Sequence, residues 1–290
     1  MALRQILTIA ELSSALDAER SAGRRVGLVP TMGALHDGHA ALITQAARET
    51  DAVVTTLFVN PLQFGPTEDL AAYPRDLAGD MRVAEMAGAS FMFTPSVEEM
   101  YPFGSTKVLT NVSVAALTTG LDGAARPGHF DGVATVVAKL FAMTGRCRAY
   151  FGEKDFQQLA VVRRMATDLS FPVEVVGCAT IREADGLAMS SRNRYLTSEQ
   201  RRHAPLLQQA LLAGRALLES GETDADMVRH TMRSMVEADP LFGLQYAEVV
   251  DPLTLEPVTM VGSGQSVRLL VAATLGRARL IDNTGAMRCM

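Results

Sequence analysis

The sequence is poor in cysteine: three in 290 residues, Cys147, Cys178 and Cys289, none of them in a C-x-x-C pair. That excludes a disulfide-stapled scaffold and a cysteine zinc site, and leaves reduced thiols used as small apolar residues. Long apolar runs are missing as well. No window reaches the 18 or more apolar residues of a membrane span, and the start of the chain breaks into Glu11 and Asp17-Ala-Glu-Arg20 before a signal-peptide core can form. A soluble, cytoplasmic protein without membrane contact is expected. No charge sign dominates: 27 Lys and Arg face 32 Asp and Glu, a net charge of −5, which argues against a nucleic-acid partner. With 48% hydrophobic and 20% charged residues, global disorder is excluded. Two phosphate signatures are also absent. There is no G-x-x-x-x-G-K-[ST], and Gly262-Ser-Gly264 lacks the third glycine of a dinucleotide fingerprint.

What is present is an alternation of apolar runs with helix-period segments. Strands are expected at 26–29 (stopped by Pro30), 52–59, 90–94, 148–152 and 173–180. Helices are expected at 39–50, 80–88, 131–143 and 156–169. This rhythm predicts an α/β fold with a helix-covered parallel sheet. After Thr180 the rhythm changes. Thr197-Ser-Glu-Gln200 has capping-box spacing and is expected to open one long helix reaching Ser220. A helix at 224–237 and strands at 244–250, 266–272 and 279–281 follow. They predict a separate, smaller α+β unit with a boundary near 180–195.

Five segments carry the residue types of a reacting site. Pro30-Thr-Met-Gly-Ala-Leu-His-Asp-Gly-His39 follows the first expected strand and opens a helix, where open α/β sheets bind ligands. Gly33 and Gly38 allow close backbone approach, the helix start offers N–H groups, and His36 and His39 add donors for phosphate charge. The same pair also suits a helix cap or half of a metal site, but no further ligand motif accompanies it, so no protein metal site is expected. In Phe58-Val-Asn-Pro-Leu-Gln-Phe-Gly65, the amides of Asn60 and Gln63 suit a substrate bearing hydroxyls and a carboxylate, or simply end a strand. Tyr73-Pro-Arg75 could add a phenol and a guanidinium nearby, but taken alone it reads as surface. Arg126-Pro-Gly-His-Phe-Asp-Gly-Val133 leads into the most apolar helix, whose Val133, Val136 and Val137 suit either a small aliphatic pocket or plain core. Phe151-Gly-Glu-Lys-Asp-Phe-Gln-Gln158 brings Lys154 after a strand, with Asp155 at an expected N-cap and Gln158 one turn on. Ala188-Met-Ser-Ser-Arg-Asn193 is a hydroxyl-rich loop whose Arg192 fork suits a triphosphate, or a linker.

Taken together, P-T-M-G-A-L-H-x-G-H, F-V-N-P-x-Q-F, R-P-x-H-F-x-G-V, F-G-E-K-D-x-Q-Q and A-M-S-S-R-N resemble the pantoate–β-alanine ligase (pantothenate synthetase) family in order and spacing. Asp37 stands where Glu is frequent in that family. More widely, His36-Asp-Gly-His39 is similar to the H-I-G-H signature of class I aminoacyl-tRNA synthetases, and Met189-Ser-Ser-Arg192 to their K-M-S-K-S loop.

The resemblance implies a Rossmann-like domain over residues 1–180 that binds nucleotide and pantoate, a small C-terminal lid domain over 181–290, and a homodimer. It implies condensation of pantoate with β-alanine, using Mg-ATP and releasing AMP and pyrophosphate through a bound pantoyl adenylate. ATP contacts are implied at Met32, Gly33, Ala34, Leu35, His36, Asp37, Gly38, His39, Gly152, Glu153, Lys154, Asp155, Ile181, Met189, Ser190, Ser191 and Arg192. Catalytic roles fall to His39 as proton donor, His36, Lys154, Ser190, Ser191 and Arg192. Gln63, Gln158 and Asn60 are expected to hold substrate, with Met32, Val133, Val136 and Val137 around its dimethyl carbon. Mg²⁺ is expected on ATP oxygens and water, without a tightly bound organic cofactor.

Overall fold

Short apolar runs that could be covered on both faces form the middle of a parallel sheet. In the computed structural model, which describes residues 3–65, 70–71 and 73–289, the chain opens with β1 (Arg4–Ile6), α1 (Ile9–Ser21), β2 (Val26–Thr31), α2 (Asp37–Glu49) and β3 (Ala52–Leu57). It continues through α3 (Leu77–Ala87), β4 (Phe91–Phe93), α4 (Val97–Met100), α5 (Leu121–Ala125), α6 (His129–Thr144), β5 (Cys147–Gly152), α7 (Phe156–Asp168) and β6 (Val173–Cys178). Six strands pair in the order β1-β4-β3-β2-β5-β6, every neighbour parallel. Val26, Leu28, Val29, Val53 and Val54 are buried, as in a strand pair with both faces covered.

The remainder is α8 (Ser198–His203), α9 (Leu206–Glu219), α10 (Ala225–Glu237) and an antiparallel sheet of β7 (Phe242–Val250), β8 (Ser266–Leu275) and β9 (Ala278–Met287). Leu207, Leu211 and Leu218 of α9 and Val228, Met232 and Val236 of α10 form one core with Val249, Leu269 and Val271. Each such side chain contributes about 1.5–3 kcal/mol by leaving water. The fold is thus α/β with a small antiparallel α+β unit. Contacts divide the chain into Met1–Glu153 with Gln157–Ala179, and Lys154–Phe156 with Thr180–Met290. The three residues 154–156 therefore group with the second unit. No helix among the described residues is long and apolar enough to cross a membrane.

Three differences from the expected elements have local causes. β2 runs through Pro30 to Thr31, because its ladder to β5 involves only Gly27 and Leu28, so the missing Pro30 N–H costs no bond on that side. The helix expected from 197 to 220 is two helices. Thr197 and Gln200 do form the capping box of α8, but Pro205 has no N–H, its ring crowds the carbonyl one turn back, and a new helix starts at Leu206. β1 and α1 were not expected at all. α1 is fixed by a capping box between Thr8 and Glu11 and buries Leu12 and Leu16.

Candidate functional site

The sheet grows from β2 through β3 and β4 on one side and from β5 to β6 on the other. Its topological switch therefore lies between the adjacent strands β2 and β5, where open α/β sheets leave a crevice at the carboxyl ends. The histidine turn leaves β2 at this point. Gly33 takes φ 89° and Ala34 φ 52°, reversing the chain before α2. The α2 helix begins at Asp37, two residues earlier than expected, with His36 as its N-cap. His36 Nδ1 accepts from Gly38 N–H at 3.1 Å and His39 Nδ1 accepts from His36 N–H at 3.3 Å, with ring centroids 4.1 Å apart. Since both Nδ1 atoms accept, the neutral rings carry their proton on Nε2. The helix-cap and donor readings of this pair are thus compatible.

The buried carboxylate of Asp80, on α3, holds this turn from below. It accepts the N–H of Ala34 at 3.0 Å and of Leu35 at 2.7 Å. Ala34 and Leu35 were both expected among the ATP contacts. Their N–H groups are engaged by Asp80, so any contact they make with a nucleotide is through other atoms.

The second cluster is the amide turn after β3. Asn60 is 1% exposed, and its side chain is engaged by the protein. Nδ2 donates to Gln63 Oε1 (3.3 Å) and Gly132 O (3.1 Å), while Oδ1 accepts from Leu62 N–H (3.3 Å) and the Tyr101 hydroxyl (2.7 Å). Burial pushes the Tyr101 phenol well above its ordinary range, keeping it a donor. Asn60, expected to hold substrate, is thus tied to Gln63, also expected there. Gln63 donates Nε2 to Met32 Sδ at 2.6 Å, joining two residues expected at one substrate. Tyr73, expected at the surface, is instead buried edge-on against Phe64, ring centroids 5.9 Å apart, while Arg75 is exposed.

The Arg126–Val133 segment fixes the same turn. The Gln63 carbonyl accepts from His129 Nδ1 at 2.8 Å and Arg126 Nη2 at 3.4 Å. A carbonyl only accepts, so His129 carries its proton on Nδ1 and its Nε2 receives Arg126 Nη1 at 2.8 Å. A Cβ on Gly132 would lie 2.2 Å from Leu62 O, so only glycine lets α6 approach the turn. Val133, Val136 and Val137 are all buried, on a helix covered on nearly every face.

At the end of β5, residues 153–155 make a 3₁₀ turn running straight into α7, so Asp155 lies within a helical turn rather than capping one. Its carboxylate is 3.7 Å from Lys154 Nζ. Of the two glutamines that follow, Gln157 is buried. It accepts from Asp122 N–H at 2.9 Å and donates to Leu117 O and Gly120 O at 2.8 and 3.0 Å. Gln158 is half-buried, and its side-chain amide makes no hydrogen bond among the described residues.

In the second unit, residues 181–193 form a braced hairpin. Glu183 N–H donates to Leu187 O and Met189 N–H to Ile181 O, at 2.8 and 2.9 Å. Arg182 makes a two-pronged pair with Asp282 at 2.7 and 2.9 Å and reaches Gly186 O at 3.0 Å. Arg201 bridges Glu183 and Asp185 and holds the Asp185 carboxyl below its usual value. Ser190 caps the 3₁₀ turn Ser191–Tyr195 by accepting from Arg192 N–H at 3.3 Å. Ile181 is partly exposed, and Ser190, Ser191 and Arg192 are half-buried. The described residues contain no group of three His, Cys, Asp or Glu arranged for a metal.

Sequence reasoning missed the supporting residues Asp80, Tyr101, Gln157 and Asp282. Each acts across 35 or more positions, and only the Q-Q doublet gave a local sign that one of two amides is structural. Of the cysteines, Cys147 and Cys178 are buried and pushed up by that burial to about 12 and about 11, while Cys289 is exposed.

Comparison with known proteins shows the family and the fold. Residues 4–285 match the family model described as pantoate-beta-alanine ligase. A pantothenate synthetase of Pseudomonas savastanoi pv. phaseolicola is 50% identical over 281 residues, 97% of this chain and 98% of the relative. The crystal structure of pantothenate synthetase from Thermus thermophilus superposes with a TM-score of 0.90 at 50% identity, covering 97% of this chain and 98% of that one. A pantoate-beta-alanine ligase from Francisella tularensis, complexed with beta-gamma ATP and beta-alanine, superposes with a TM-score of 0.79 at 30% identity, covering 98% and 97%.

Proposed function

Because the chain belongs to the pantoate–β-alanine ligase family, we propose that it joins pantoate to β-alanine with ATP, releasing AMP and pyrophosphate. The observation that carries this reading is the reciprocal histidine cap at the β2–β5 switch point, two Nε2–H donors at the start of a helix. A carboxylate oxygen of pantoate attacks the α-phosphorus, and the bond to the bridging oxygen of pyrophosphate breaks. The β-alanine amine then attacks the acyl carbon of the adenylate, the bond to AMP breaks, and the amine sheds a proton as the amide forms.

Neither step asks for a protein nucleophile. Positioning and charge stabilisation supply the acceleration, which suits a site rich in His, Lys and Arg. His39 serves as proton donor at the phosphates with His36 beside it, and Lys154, Ser190, Ser191 and Arg192 neutralise phosphate charge. Met32, Gly33, Ala34, Leu35, Asp37, Gly38, Gly152, Glu153, Asp155, Ile181 and Met189 complete the nucleotide surroundings, Ala34 and Leu35 through atoms other than their N–H. Gln63 and Gln158 hold pantoate, oriented by Asn60, with Met32, Val133, Val136 and Val137 near its dimethyl carbon. Mg²⁺ would come with ATP as part of that substrate; among the described residues no cluster of His, Cys, Asp or Glu offers it protein ligands. When bound, it withdraws charge from the phosphates. The second unit serves as a lid that shields the mixed anhydride from water. A cytoplasmic homodimer completes the reading.

The test is isotope exchange between ATP and pyrophosphate in the purified, Mg-supplied protein. Pantoate-dependent exchange without β-alanine is expected, and AMP on adding β-alanine. Exchange independent of pantoate, or none, would refute the proposal.

A further inference from the structure

Two adjacent residues of β9 hold the bases of two segments to which the reading above gives phosphate contacts. Side chains alternate faces along a strand, so Asp282 and Asn283 project to opposite sides of the three-stranded sheet. Asp282, 4% exposed, takes the two-pronged bond from Arg182 at the root of the 181–193 hairpin. Asn283, 3% exposed, donates Nδ2 to the backbone carbonyl of Lys154 at 2.7 Å. Its Oδ1 accepts from Arg268 Nε at 2.7 Å and from Arg268 Nη2. The Arg268 guanidinium in turn lies over the ring of Phe156, 4.0 Å from its centroid. The turn bearing Lys154 is thus gripped at two points two residues apart, a carbonyl and a ring, by one Asn–Arg pair.

We infer that Asn283 is a positioning residue for Lys154, fixing the backbone from which the ammonium reaches phosphate. The chemistry of the bond says why an amide stands there. The Lys154 carbonyl needs a donor and the Arg268 guanidinium needs an acceptor, and a primary amide presents one of each on a short stem. A carboxylate would satisfy Arg268 better and Lys154 not at all. The inference rests on the ligase reading, since it assigns Asn283 a role through a residue that reading places at the phosphates.

That asymmetry supplies the test. Asn283→Asp is nearly isosteric, keeps the acceptor for Arg268 and removes the donor to Lys154. Single-turnover adenylate formation and thermal unfolding are measured for the wild type, Asn283→Asp, Asn283→Ala, Lys154→Ala and the Lys154→Ala/Asn283→Asp double variant.

Asn283→Asp is expected to unfold near the wild-type temperature yet form adenylate about ten-fold or more slowly, toward the ~10²-fold that a misplacement of about 1 Å costs. Asn283→Ala should be slowed at least as much. In the Lys154→Ala background, Asn283→Asp should change the rate by less than about two-fold, because residues acting through one group do not add. A purely structural role would give the same proportional loss in both backgrounds. Wild-type rates in Asn283→Asp, or full additivity with Lys154→Ala, would overturn the inference while leaving the ligase reading intact. A wild type that forms no adenylate would overturn that reading and the inference with it.

Discussion

The histidine turn at 32–39 and the hairpin at 181–193 are both candidate phosphate-binding segments, yet they are held in place by different physics. The first is fixed by the buried Asp80 carboxylate on two backbone N–H groups, and by two half-buried imidazoles capping one helix. The second is fixed by guanidinium pairs, Arg182 with Asp282 and Arg201 with Glu183 and Asp185, of which the Arg201 pairs stand partly in solvent. Buried hydrogen bonds to charge are costly to break and weakly screened, whereas exposed ion pairs yield to acid and salt. The lesson is that the stiffness of such a candidate wall follows burial more than bond count.

The largest effects should come from the side chains meant to touch phosphate, His39 in the first region and Lys154 on the turn that groups with the second unit. His39→Ala and Lys154→Ala are each expected to slow adenylate formation by ~10²–10³, the scale of losing one transition-state donor. Stopped-flow or quenched single turnovers check this, and a loss confined to one variant would assign the chemistry to one region alone. Next comes the wall itself. Asp80→Ala leaves the Ala34 and Leu35 N–H groups buried without that acceptor, and urea unfolding should lose about 2 kcal/mol or more. Unchanged stability would mean the turn is not held as described.

The smallest effect separates the two walls by pH. Arg201 and the Leu187 N–H depress the Asp185 carboxyl below 3.8, so its charged form is favoured by folding. That contribution is complete above about pH 4 and is lost as pH falls through the lowered folded value. Solvent screening keeps it to no more than about 1 kcal/mol. Urea unfolding of wild type and Arg201→Met between pH 5 and pH 2.5 should differ above pH 4 and converge below. Parallel curves would remove the pair from the account.

Much of this was legible in the sequence because it is local. Alternating apolar runs predicted the parallel sheet, and glycines beside His36 and His39 marked the turn at its switch point. The second unit's helices and strands were readable for the same reason, apart from the break at Pro205, where one residue without an N–H divides a continuous helical pattern. What escaped was the support. Asp80 lies 45 positions from Leu35, and Asn283 lies 129 positions from Lys154. No local pattern marks either, because each is an ordinary polar residue until folding buries it against its partner. The partners of Asn60 escaped for the same reason, since Gly132 and Tyr101 lie far from it along the chain.

The central claim is that the two regions serve one triphosphate beside a carboxylate. A crystal structure with pantoate and a non-hydrolysable ATP analogue tests it most directly. The account predicts the α-phosphate within hydrogen-bonding distance of His39, the outer phosphates on Lys154 and the Ser190–Arg192 segment, and the pantoate carboxylate between Gln63 and Gln158. Phosphates bound away from His39, or touched by residues of one region only, would contradict it.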